Sequence, residues 1–191
     1  MRRFIVAALL GLTAVGVSSE RIAAQAAGKP EKYLATAMNL GSGPSASGTV
    51  IIGVERWSTR EERAKLLTVV AQKGPDELLS ALRDSPRVGY FRMSNTLALD
   101  LRYAFESPLA EGGRRVVLVT DRPIGFQQVG TPRKSNDYPF TLIEIHFNKD
   151  NVGVGKMSFY TKISVSKDKQ TLELENYGTE PLRLTNVTLE K

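Results

Sequence analysis

The chain has no cysteine. That excludes disulfides, thiolate metal sites, a thiol nucleophile and a lipidated N-terminal cysteine, and it leaves stability to the apolar core. Histidine is almost as scarce. His146 is the one imidazole, so no site draws on two, and HExxH or a comparable metal cluster is absent from the sequence. There is no G-x-S-x-G nucleophile elbow, because the serines of "GSGPSASG" sit in a glycine-rich loop pattern instead of a strand-to-helix turn. "NVGVGK", Asn151 to Lys156, fails as a phosphate loop: Asp150 stands where the first glycine belongs, and Met157 follows the lysine where Ser or Thr is required. No motif implies a cofactor. No fixed-period repeat and no long block of one charge sign occurs either, so a nucleic-acid footprint is not supported.

What is present begins with a leader. Arg2 and Arg3 precede a mostly apolar run, Phe4 to Val17, that is too short to span a bilayer as a helix, and Ala24-Gln25-Ala26 offers a small-residue cleavage site. Residues 1–26 are therefore expected to be a signal peptide, which places the protein in the periplasm or outside the cell. Without Arg2, Arg3, Arg21 and Glu20, 23 basic and 19 acidic residues remain, so the net charge falls from +6 to +4. The mature chain, 27–191, suits one domain with no further membrane span.

Residues 27–48, with the Gly/Ser/Pro segment Gly41 to Gly48, are expected to be a flexible N-terminal segment or linker, and 49–191 a single α+β domain. Thr49 to Trp57 reads as the first strand. Ser58-Thr-Arg-Glu61 fits a capping box, Leu66, Leu67, Val70 and Ala71 give a helical stripe, Gly74-Pro75 breaks it, and Leu78, Leu79 and Leu82 continue into a second helix ended by Pro86. An αα unit is thus expected after the first strand.

From there the period is two. Leu97, Leu99, Leu101, Tyr103 and Phe105 form one apolar face, and further strands are expected at Arg114 to Thr120, Phe140 to Asn148, Lys156 to Ser166, Thr171 to Asn176 and Leu182 to Leu189. Short links favour antiparallel neighbours. About eight strands then form a curled sheet, a lipocalin-like barrel or a sandwich. In Arg114 to Thr120, Val116 and Leu118 face one way and Val117 and Val119 the other, which predicts a strand covered on both sides.

Four residues are the catalytic candidates. Asp121 and Arg122 stand where that strand stops at Pro123, and Glu144 and His146 share the polar face of "FTLIEIHF". Either pair serves equally well as a local ion pair. If the strands form a meander, polar faces bring Asp100, Arg102, Glu144, His146, Tyr160, Lys162, Glu173 and Glu175 together, and Arg102, Tyr160 and Lys162 become candidates to hold a small polar ligand.

"RWSTREER", "GGRRVVLVTDRPIGF", "YPFTLIEIHF" and "LENYGTEPLRLTNV" resemble segments of an uncharacterised family of small exported proteins of Gram-negative bacteria. The resemblance covers most of 48–188 and implies one exported domain; it carries no activity, ligand or catalytic residue with it. The expectation is a monomeric, non-enzymatic exported domain that binds a small molecule or an envelope protein. Two alternatives stand beside it: a cofactor-free hydrolase or lyase using Asp121, Arg122, Glu144 and His146, and an assembly factor of the envelope that pairs through exposed sheet edges.

Overall fold

Strand periodicity begins earlier than the linker expectation allows. In "EKYLATAM" Tyr33, Ala35 and Ala37 recur at every second position, all buried, and the computed structural model makes Glu31–Met38 the first strand, β1. It describes residues 28–38, 47–94, 96–122, 140–165, 172–176 and 182–190, omitting the side chains of 75, 76, 159–165 and 172–176. The leader lies outside them. β2 (Ser47–Val54) pairs with β1 along its full length, so residues 31–38 and 47–48 of the expected linker are sheet.

The helices α1 (Arg60–Lys73) and α2 (Pro75–Arg83) follow this second strand, not the first. The capping box is present one residue later than expected. Thr59 Oγ1 accepts from Glu62 N–H and Glu62 Oε2 accepts from Thr59 N–H, because Ser58 is occupied elsewhere: it is buried and exchanges hydrogen bonds with the backbone of Ala104. At the helix–helix corner Gly74 has φ +90°, a conformation that excludes side-chain-bearing residues, and Pro75 opens α2.

The remaining strands are β3 (Gly89–Met93), β4 (Leu99–Leu101), β5 (Tyr103–Pro108), β6 (Arg114–Thr120), β7 (Phe140–Phe147), β8 (Val152–Val165), β9 (Leu172–Asn176) and β10 (Leu182–Leu189). All pairings are antiparallel, in the order β4-β3-β2-β1-β10-β8-β7-β6-β5, with β9 added on the far half of β8. The first and last members of that order are one piece of chain. β4 pairs with β3, β5 pairs with β6, and Arg102 between them donates its N–H to Val119 O, so residues 99–108 bring the sheet back on itself as a nearly closed barrel.

That seam corrects the expected face of 97–105. Leu101 and Ala104 both point into the barrel, three residues apart, so alternation slips at Arg102 as at a β-bulge; Tyr103 and Phe105 are turned to the outside, and Leu97 is exposed. The alternation written in the sequence continues through the slip, which is why it does not show there.

The interior is packed with Tyr33, Ile52, Phe91, Leu118, Ile143, Ile145, Phe147 and Leu184, each essentially inaccessible. A second apolar cluster lies outside the wall, where Leu66, Val70, Leu78 and Leu82 of the helices cover Val119, Phe140 and Leu142. β6 is consequently covered on both sides, Val116 and Leu118 within and, on the helix side, Val119 buried and Val117 half-buried. Gly113, at φ +86°, completes the β5–β6 turn in contact with Phe147 O, where a Cβ would not fit. Among the described residues no helix is long and apolar enough to cross a membrane.

Candidate binding site

The register of β5 to β8 lays the outer wall out as three rows. Tyr103, Val119, Leu142 and Ser158 form the first; Phe105, Val117, Glu144 and Lys156 the second; Ser107, Arg115, His146 and Val154 the third. The first row is roofed by the helical pair, while the third carries exposed His146 and Val154. Between roof and wall runs an open cleft of about 240 Å³. Its floor is Val117, Val119 and Leu142, its roof Leu66, Leu67, Val70, Leu78 and Leu82, and one flank is formed by Tyr103 and Phe105. It is a little smaller than a typical small-molecule site of about 300 Å³ or more, and it has the same apolar lining with few polar groups.

The polar groups gather at its mouth. The Arg63 guanidinium of α1 lies 4.2 Å from the Phe105 ring centroid, a cation–π contact. Burial pushes the pKa of the nearby Tyr103 hydroxyl up, with Arg63 pulling the other way. Arg115 reaches Glu144 Oε1 through Nε at 2.7 Å, and the same oxygen meets His146 Nε2 at 2.8 Å. Ser107 completes the rim. Cross-strand pairing of the outward-facing residues of β6 and β7 builds this cluster.

The four catalytic candidates are not one constellation. Glu144 and His146 are hydrogen-bonded to each other, whereas Asp121 is buried at the other end of β6 with its Oδ2 4.0 Å from Arg102 Nε. Glu144 is opposite Val117, four residues from Asp121, a separation of roughly 13 Å along the strand. Arg122 is exposed, and its backbone is held by the Thr120 hydroxyl through both N–H and C=O. No third Asp or Glu joins Glu144 and His146 in a metal-holding group among the described residues.

Arg102, a ligand candidate from the sequence, is used by the fold. Its Nη1 donates to Ser85 O just beyond α2 and its Nη2 to Asp100 Oδ2, which ties the helical pair to the barrel seam. Lys162 is registered with Glu175 on β9, but the side chains of Tyr160, Lys162, Glu173 and Glu175 lie outside the described residues, as does the loop after Arg122. Of the edges that an assembly factor would offer, β4 pairs with β3 alone, β5 with β6 alone and β9 with β8 alone among the described residues.

Comparison with known protein families, curated proteins and solved structures finds no match to the chain. The site therefore rests on its own geometry.

Sequence reasoning missed Arg63, Arg115, Tyr103 and Phe105 as site residues. One signal was present: β6 and β7 carry apolar side chains on both faces, and the outward set continues past what two short helices cover.

Proposed function

We propose that the protein is an exported binding domain whose ligand seats in the cleft between the helical pair and the outer wall of β5, β6 and β7. One observation carries this reading: an apolar groove of about 240 Å³ remains open between two elements that pack tightly against each other further along. An apolar concavity with a few polar groups at its mouth has the form of a small-molecule site. The leader pattern of residues 1–26 supports an exported location. The reading differs from a lipocalin-like one, in which the ligand lies inside the barrel, because here Phe91, Phe147 and their neighbours fill that volume.

The test is fluorescence titration with N-phenyl-1-naphthylamine, an uncharged apolar dye. Val117→Phe fills the floor and Leu67→Asp charges the roof at a half-exposed position. Each is expected to weaken dye binding about tenfold or more, with circular dichroism melts showing both variants folded. Wild-type protein that leaves the dye unbound, or variants that bind it as well as wild type, would sink the reading.

A further inference from the structure

We infer that the ligand is an organic monoanion, an apolar body ending in a carboxylate-type head, with the head held at the cleft mouth by Arg115 and Arg63. This rests on the cleft being the binding site and adds the chemistry of what enters it.

The charge at the mouth is lopsided. Among the described residues the cleft is lined by the cations Arg63 and Arg115 and by no carboxylate, while Glu144 beside Arg115 is paired across the strands with Lys156. The Glu144 carboxylate is already engaged, because its Oε1 holds both Arg115 Nε and His146 Nε2. A cationic ligand head would meet the like charges of Arg63 and Arg115 at the opening. An anionic head meets the opposite situation: Arg115 uses Nε toward Glu144, which leaves the paired terminal nitrogens of its fork uncommitted to that contact, in the geometry that suits a carboxylate. Glu144 thereby acts as a positioning residue, fixing the guanidinium at the rim.

Arg63 faces the same opening from the helix side, its plane steadied by Phe105, and Ser107, paired with Arg115 across β5 and β6, adds a hydroxyl to the rim. An anion at this rim stays partly hydrated, so it avoids the full cost of burial, while the body that follows it runs inward over Val117, Val119 and Leu142. No charged side chain lines the inner part of the cleft among the described residues, which argues for one head rather than two. From Arg115 to Val119 the wall extends roughly 13 Å, a length suited to a medium-chain acid.

Displacement of bound N-phenyl-1-naphthylamine by decanoate and by 1-decanol compares the same chain with and without the charge. Decanoate is expected to compete about tenfold better than decanol at low salt, an advantage that shrinks as salt is raised. In Arg115→Gln and in Arg63→Gln the ratio between the two competitors should fall towards one. Equal competition in wild type, or a decanoate advantage that survives both substitutions, overturns the anion assignment while leaving the cleft intact. If the dye never enters the cleft, as judged by Val117→Phe, the binding reading itself fails and the assignment goes with it.

Discussion

Replacing Arg114 with methionine keeps much of its apolar stem and removes only the charge. Its Nη1 lies 2.9 Å from Glu31 Oε2 on β1 and 2.8 Å from Glu106 Oε2 on β5, and its guanidinium sits over Phe147 at 5.0 Å. Glu31 also accepts from the Tyr33 hydroxyl. One cation therefore joins strands from opposite sides of the barrel, and all three charged groups are mostly shielded. Without it two carboxylates are left facing each other at one end of the barrel, so Arg114→Met should lower unfolding free energy in urea by about 2 kcal/mol. The same cluster sets an alkaline limit. Burial, then the bond to Glu31, raises the Tyr33 pKa, so the unfolded chain releases that proton first. The stability contributed by Tyr33 should be complete below the ordinary tyrosine value near 10 and fall as pH rises above it, and Tyr33→Phe should reduce the steepness of that fall in urea titrations. A slope unchanged by the substitution would mean that Tyr33 is not the group responsible.

Element boundaries show what local sequence conveys and what it leaves out. The start of α1 was legible because Ser/Thr followed by Glu is a local signal, but its frame was not: Ser58 and Thr59 are equally good caps until Ala104, 45 residues beyond Thr59, claims the Ser58 hydroxyl. The helical stripe and the strand periods of β6, β7 and β10 were legible for the same local reason. β1 was hidden by its small interior residues, Ala35 and Ala37, and by its place before a glycine-rich loop. The slip at Arg102 was hidden because Leu101 and Tyr103 are both apolar, so the alternation in the sequence runs on although the two face opposite sides of the wall. The start of α1 also carries a prediction. Thr59→Ala should cost about 1 kcal/mol. Glu62→Gln should cost stability at pH 7 as well, since Arg56 holds that carboxylate at 3.0 and 2.9 Å and lowers its pKa. A lowered pKa gives stability that is present above the unfolded value near 4.5 and lost as pH falls through the folded one, so the two proteins should converge in acid. A difference that persists undiminished at pH 2 would assign the effect to packing.

At the scale of the whole molecule, the barrel wall gives its two faces to different tasks. On β6 and β7 the inward residues Leu118, Ile143 and Ile145 belong to the interior cluster, while the outward residues Val117, Val119 and Leu142 line the cleft. The sequence revealed both faces of β6 through the unbroken apolar run Val116 to Val119; it did not reveal the cleft, because that requires α1 and α2 to meet strands placed 20 to 80 residues later. Stability and binding should therefore separate by face. Ile143→Val removes one methylene from a packed interior and should lower stability by about 1 kcal/mol, a melting shift of about 3 °C, with dye affinity unchanged. Val117→Phe fills open space instead of a packed core, so it should block the dye with little loss of stability. The two substitutions lie on adjacent strands, one residue apart in register, and differ chiefly in the direction their side chains point. Loss of dye binding in Ile143→Val would show that the cleft depends on global packing, and the wall could then no longer be treated as two independent surfaces.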